Sequence, residues 1–473
     1  MVVGRLIAGA AAVAAAYAIG PLAAHGRQTG DVIAIRDVTV IPMTGTPPIE
    51  RATVIVRADR IAAVGPAGST AIPPGARVVE GAGKYLMPGL IEMHAHLSKA
   101  RGSSLGLFVA NGITTLRDMG GDHEELLRWR REIVSGARVG PRVLIAGPYL
   151  ESASNIARMR KDPPDARVEP FERIRIAVGS PEDARRIVAE LSARELDFLK
   201  IRTTQNVETY RAINEAAAAH GLTVVGHVAY DPQTVLEAGQ DGIEHSFLPP
   251  TSDAEREARK AIWKQFAARG VPIVPTLVAF TEGTFPPIDH LRAMVADDGE
   301  RADPRRRYVS RFMLLDWREQ FLETSAERQQ ALKKIWEPIV GALRDMHAAG
   351  MDLLVGSDVA VLNVFPGFTL HDELERFVAT LGLTPAETLD RATRRSATFL
   401  GIDRETGTIE PGKVADLVLL EANPLDDIRH TRRIAGVVLR GTFYDRAGLE
   451  RVLAAVASAP DIRQDDWGRT RVR

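Results

Sequence analysis

Apolar and polar positions divide the chain into three textures. In the first, short alternating runs at 32–41, 52–57 and 61–64 are separated by Gly45, Pro47, Pro48, Asp59, Gly65 and Pro66, which predicts a small antiparallel sheet. In the second, nearly continuous apolar runs at 90–93, 113–117, 143–146, 198–201, 223–226, 242–244, 273–276 and 353–356 alternate with helix-period segments, clearest at 181–193 and 207–219. Runs apolar on both faces read as strands of a parallel sheet. Eight βα repeats with right-handed crossovers predict an α/β fold, a (β/α)8 TIM-type barrel. An open doubly wound sheet would place a glycine-rich phosphate loop after its first strand, whereas here that run ends in Met93-His-Ala-His96. The third texture repeats the first: strand-like runs at 415–420 and 434–439 follow a turn-rich stretch at 407–413. Neither chain end has enough strands to bury a face alone. Residues 30–84 and 402–445 are therefore expected to form one composite β-domain, a small β-sandwich. It would flank a barrel over 85–401, with 446–473 as a C-terminal helix and tail.

The N-terminus departs from this plan. Arg5 precedes an apolar run over 6–20, and small residues follow near 23–26. This order predicts a signal peptide over 1–26, a secreted or periplasmic protein, and no stable membrane span after cleavage. The alternative is an uncleaved membrane anchor, since the run is nearly long enough to span. Two connections, 155–175 and 280–349, are long enough to serve as lids or binding surfaces. The runs Arg305-Arg-Arg307 and Asp297-Asp298 within the second are expected to be solvated faces.

Composition narrows the chemistry. The 473 residues carry a formal net charge of -1, which lacks the basic footprint of a nucleic-acid binder. It fits a small-molecule substrate and leaves a homo-oligomer open. There is no cysteine, so disulfides, thiolate metal sites and a cysteine nucleophile are excluded. Any metal must be held by nitrogen and oxygen.

Histidines then become informative. The chain has 11; four of them, His94, His96, His227 and His245, fall where predicted strands stop. Residues two apart on a strand point to one side, so His94 and His96 can reach a single ion. Asp358 closes another run, where it reads either as a helix N-cap or as a ligand and proton shuttle beside an activated water. Lys200, inside the run 198–201, reads by itself as an ion-pair partner; buried, it could turn neutral and reactive. Groups at the C-terminal ends of several barrel strands would converge on one rim.

These residues sit in a recognisable order. Met87-Pro-Gly-Leu-Ile-Glu-Met-His-Ala-His-Leu97 resembles the first-strand motif of the amidohydrolase superfamily. Asp197-Phe-Leu-Lys-Ile201, Gly226-His227, Ile243-Glu-His245 and Gly356-Ser-Asp358 are similar to its later motifs, and Thr408-Ile-Glu-Pro-Gly-Lys-Val-Ala-Asp-Leu-Val418 to its β-domain signature. The nearest branch is the one with imidazolonepropionase-like proteins and metal-dependent prolidases and other dipeptidases. The resemblance implies two divalent metal ions. His94, His96 and Asp358 would hold the more buried one and His227 and His245 the other. Lys200, carboxylated to a carbamate, would bridge them. Zinc is the expected metal, with manganese and nickel equally suited to such ligands. A metal-bridging hydroxide would hydrolyse an amide bond of a dipeptide or N-acyl amino acid, as an Xaa-Pro dipeptidase does. Imidazolonepropionase uses one metal and lacks this lysine, so Lys200 favours the binuclear side.

Other assignments rest on position alone. Tyr230 and His123, the latter expected in a glycine-flanked loop, are candidate substrate contacts; loop packing is the competing role for Tyr230. Arg117 and Asp118 are expected to pair with each other, and His371 to serve a helix start. Two alternatives stand beside the amidase: hydrolysis of a cyclic amide, lactone or other ester on the same metals, and an exported binding protein without catalysis.

Overall fold

The computed structural model describes residues 32–161 and 171–459. The predicted signal peptide, part of the 155–175 connection and the C-terminal tail lie outside the described residues. The elements are strands β1 (Val32–Val40), β2 (Ile49–Arg57), β3 (Arg60–Pro66), β4 (Arg77–Glu80), β5 (Tyr85–Pro88), β6 (Leu90–Ala95), β7 (Ile113–Asp118), β8 (Arg142–Ile145), β9 (Tyr149–Ser152), β10 (Arg175–Val178), β11 (Phe198–Ile201), β12 (Thr223–Gly226), β13 (Gly242–Glu244), β14 (Ile273–Val274), β15 (Leu417–Leu420), β16 (Ile434–Leu439) and β17 (Thr442–Asp445), with helices between most of them.

The two chain ends share one sheet, ordered β17-β16-β15-β5-β1-β2-β3, with β4 added beside β1. Its centre is the antiparallel pairing of β15 with β5, Leu417 opposite Pro88 and Leu420 opposite Tyr85. The sheet is mixed rather than antiparallel, because β4 and β5 both run parallel to β1. One apolar cluster joins Ile33, Ile35, Val54 and Leu86 to Leu417, Leu419 and Val438, so the two ends share one core along a single sheet rather than facing each other as a sandwich.

The rest is parallel. β6-β7-β8 form one sheet and β10-β9-β11-β12-β13-β14 a second. β6, β7, β8 and β11 are almost entirely buried, as their continuous apolar runs require. Helix starts carry the expected caps. Ser180 accepts from Asp183 N before the helix Pro181–Ser192, and Asn206 accepts from Thr209 N before Val207–Ala219.

Two departures concern the strands. β9 and β10 were hidden by the polar sequence around them. The run 353–356 forms no regular strand; Leu353 bridges Ile273, Leu354 N donates to Ile273 O, and Met93 N donates to Val355 O. Its ladder is interrupted because the Glu92 carboxylate, inside β6, takes N–H groups of His94 and Ser357. At the other seam, Asp197 N donates to Ile145 O. The connection 280–349 is largely helical, with helices Ile288–Val295, Arg311–Leu322 and Ala326–Ala348. Its arginine run is a solvated face only in part: Arg307 is exposed, but Arg306 is buried and donates to Met294 O, and Arg305 lies 4.3 Å from the Phe365 ring.

Candidate metal centre

Parallel strands deliver their last residues to one rim. His94 belongs to β6 and His96 follows it; Lys200 lies in β11; His227 and His245 directly follow β12 and β13. Two glycines permit the close approach. A Cβ on Gly226 would lie 2.1 Å from Ile201 O, and one on Gly356 would lie 2.9 Å from His94 N. His245, Thr276 and Asp358 adopt left-handed backbone angles, φ 67, 48 and 58. Such conformations cost energy in non-glycine residues and cluster where function fixes a side chain. Asp358 caps no helix; the next begins at Thr369.

His94, His96 and Asp358 form a trio whose ligand atoms lie within 4.8 Å of one another. His94 Nε2 and His96 Nε2 are each 3.4 Å from Asp358 Oδ1. His227 Nε2 and His245 Nε2 are 3.2 Å apart, and the His245 ring centroid is 4.9 Å from that of His94. The outer nitrogens are engaged. His94 Nδ1 lies 2.7 Å from Glu244 Oε2, His96 Nδ1 3.0 Å from the Tyr149 hydroxyl, and His245 Nδ1 2.7 Å from Thr276 Oγ1. Partners of this kind fix the ring and its tautomer, leaving the other nitrogen for a metal. Glu244 is in turn held by Arg117, Nη2 to Oε1 at 2.6 Å. Arg117 thus pairs with Glu244 and not with Asp118, which instead accepts from Leu97 N and Gly120 N.

The donor set fits a divalent cation. His94 Nε2 is buried with no hydrogen-bond partner, and the same holds for Lys200 Nζ. Burial, reinforced by the Lys200 charge, keeps the His227 imidazole well below its ordinary range; burial does the same for His94. Lowering of this kind favours the neutral ring, the form that ligates a metal. Burial would raise the Asp358 carboxyl, but His94, His96 and His245 outweigh it and hold the group well below the usual carboxylate range. Burial pushes the Lys200 amine down to about 8, against the pull of Glu244 and Asp358.

A profile of the Amidohydrolase family matches residues 85–443. This chain belongs to that family. It is 27% identical over 395 residues to an imidazolonepropionase of Rubrobacter xylanophilus, covering 78% of this chain and 85% of that protein. It is 24% identical over 421 residues to an adenine deaminase of the same organism, covering 85% of this chain but 56% of that longer protein. Among solved structures, a Bifidobacterium longum protein assigned as a prolidase aligns with TM-score 0.64 and 26% identity, over 90% of this chain and 99% of that one. The amidohydrolase is accordingly a hydrolytic enzyme acting on carbon–nitrogen bonds of a small-molecule substrate, with a TIM-barrel-like α/β fold. The family generally uses a divalent metal, which the His94–His96–Asp358 trio suits.

A cavity of about 360 Å³ opens beside His245 and Asp358, walled by Phe280, Val361, Leu362 and Leu332 with Arg328 and Gln329. Its outer wall comes from the long helical connection. Tyr230 is not on that wall: its hydroxyl meets Thr204 Oγ1 at 2.9 Å and its ring lies 5.1 Å from Tyr210. His123 sits in the first turn of the helix His123–Ser135 rather than in a loop, buried beside Gly147. His371 ties its helix to two other elements through Thr431 Oγ1 and Asn111 O, at 2.9 and 3.1 Å. The supporting residues Glu244, Tyr149 and Thr276 were not singled out from the sequence. For Glu244 and Glu92 a signal existed: a carboxylate inside a buried strand requires a partner. No local pattern marked Tyr149 or Thr276. Among the described residues no helix is long and apolar enough to cross a membrane.

Proposed function

We propose that this amidohydrolase cleaves the amide bond of a dipeptide or N-acyl amino acid, in the manner of an Xaa-Pro dipeptidase, with two divalent ions held at one rim. The observation that carries the reading is Lys200, a fully buried amine with no hydrogen-bond partner, electrostatically coupled to His94, His227 and His245. An ammonium there would oppose cation binding. The ammonium first gives up one proton; the free amine then attacks carbon dioxide to form an N–C bond, and loss of a second proton leaves a two-oxygen carbamate anion where a cation stood. His94, His96 and Asp358 would hold one ion, His227 and His245 the other, and carboxylated Lys200 both, with zinc as the expected metal. When bound, such ions supply Lewis-acid polarisation of the scissile carbonyl and an acidified water.

The remaining work falls to side chains. Asp358 is ionised and part of the trio, so its carboxylate is placed to accept a proton from the attacking water and deliver it to the leaving nitrogen. Glu244 and Tyr149 keep the His94 and His96 rings turned inward. The apolar wall of Phe280, Val361 and Leu362 receives a substrate side chain and limits water, while Arg328 offers one cation to a substrate carboxylate. In this reading the two parallel sheets close as one (β/α)8 barrel over 85–401, supported by the hydrogen bonds at Met93–Val355 and Asp197–Ile145. Residues 30–84 and 402–445 form the companion domain, and 1–26 direct export.

Metal analysis coupled to a substrate panel tests the proposal. The purified protein is expected to hold about two divalent ions per chain and to turn over dipeptides with a free C-terminus faster than lactones or cyclic amides. Full activity in a metal-free protein would end the reading, and preference for a lactone or cyclic amide would move the substrate assignment. N-terminal sequencing of exported protein checks the leader; an intact Met1 refutes cleavage.

A further inference from the structure

A second cavity, of about 490 Å³, lies at the opposite end of the parallel strands. Arg142, Phe198 and Thr223, the first residues of β8, β11 and β12, line it. The candidate metal ligands stand at the other ends of the neighbouring strands and none of them lines this space; Arg117, which holds Glu244, is the residue the two regions share. In barrels of this kind the N-terminal face ordinarily serves stability, and a packed foot would leave no room of this size.

The lining has two chemistries. Phe198, Leu144, Val225, Phe399, Leu400 and Ile402 supply an apolar body. Four arginines, Arg117, Arg130, Arg142 and Arg440, line it with one carboxylate, Asp197. Three of the four are committed: Arg117 to Glu244, Arg130 to Asp197, and Arg440 to Gly140 O at 3.3 Å. Arg142 is partly buried; it makes no direct ion pair or side-chain hydrogen bond among the described residues, although its charge, with that of Arg440, acts on the buried Asp416 carboxyl. In addition, Arg130 Nε is buried without a partner. Space of this size is in the range of small-ligand pockets, which combine apolar walls with a few placed polar groups. A guanidinium with open donors favours a carboxylate or phosphate.

We infer that this cavity binds a small amphipathic organic anion, its apolar body against Phe198, Phe399 and Leu400 and its carboxylate on Arg142. The site is separate from the hydrolytic centre and does not depend on which amide the enzyme cleaves.

The probe is 3-phenylpropanoate, titrated calorimetrically into the full, metal-loaded protein, with 3-phenylpropanamide as its neutral counterpart. Because a carboxylate can also meet a metal, the titration is repeated in Asp358→Asn. Saturable binding that persists in Asp358→Asn, weakens at least about tenfold in Arg142→Gln, and weakens as much for the amide, supports the site; tenfold corresponds to about 1.4 kcal/mol. Arg142→Gln removes one of the two arginine charges acting on buried Asp416, so its thermal unfolding is compared with the parent's alongside the titration. Val225→Trp, which fills the cavity, gives the same loss by a different route. No saturable binding up to about 10 mM, binding that disappears in Asp358→Asn, or equal affinity for acid and amide overturns the inference.

Discussion

Replacing Glu244 by Gln removes a charge on which two buried partners depend. Oε1 receives Arg117 Nη2 at 2.6 Å and Oε2 meets His94 Nδ1 at 2.7 Å, with Arg117, Glu244 and His94 side chains each 1% exposed. Glutamine keeps the shape but leaves the Arg117 guanidinium uncompensated in the interior. Breaking a buried pair in this way costs about 3–5 kcal/mol. Unfolding entropy is about 2.1 cal/mol/K per residue, or about 0.9 kcal/mol/K over some 420 described residues. A loss of about 4 kcal/mol therefore lowers Tm by about 4–5 °C. Calorimetry in the presence of a chelator reads this term free of metal binding. Metal titration reads the second consequence, a loss of about 10–100-fold in affinity as the His94 ring loses its anionic partner. The double variant Arg117→Met/Glu244→Gln separates the two. With both charges gone, most of the stability should return, whereas metal affinity should stay low. If Glu244→Gln moves Tm by less than about 1 °C and metal affinity by less than about threefold, the chain from Arg117 through Glu244 to His94 does not act as described. If the double variant recovers metal binding in full, orientation of His94 is not Glu244's role.

Lys200→Ala should lose about one metal per chain and most activity, with short carboxylic acids restoring part of both; retention of two metals would remove Lys200 from the centre. Tyr149→Phe deletes the hydroxyl at His96 Nδ1 and should weaken metal binding by about tenfold with the fold intact, read by metal titration; an unchanged affinity refutes the positioning role. Burial holds the His371 imidazole down at about 3 in the folded state, while the unfolded chain titrates near its ordinary value. The unfolded state therefore binds the extra proton between these values, and stability contributed by neutral His371 is full above about pH 6.5 and lost as pH falls. At pH 5 the loss is about 2 kcal/mol. Urea unfolding at pH 7.5 and 5.0 should show a smaller difference in His371→Gln than in the parent; equal differences refute it.

Much of this protein was legible in the amino-acid order because the relevant signals are local. Apolar runs that end in His94, His227 and His245 mark strands buried on both faces. Alternation within Met93-His-Ala-His96 puts two imidazoles on one side by backbone geometry alone. The composite sheet was foreshadowed too, since neither chain end carried enough strands to bury its own face. Other features depend on which distant segments become neighbours. Arg117 and Asp118 are adjacent and opposite in charge, yet alternation along β7 sends them to different partners, and a residue 127 positions away takes the guanidinium. The strand β9, short and followed by polar sequence, brought Tyr149 to His96 with no local mark. The partners of Tyr230, Thr204 at its hydroxyl and Tyr210 at its ring, lie 26 and 20 positions away and carry no local mark either. Sequence determined which groups could serve, through residue type and periodicity. Only the tertiary structure decided which of them meet, because hydrogen bonds and charge pairing act over a few ångströms in space and take no account of separation along the chain.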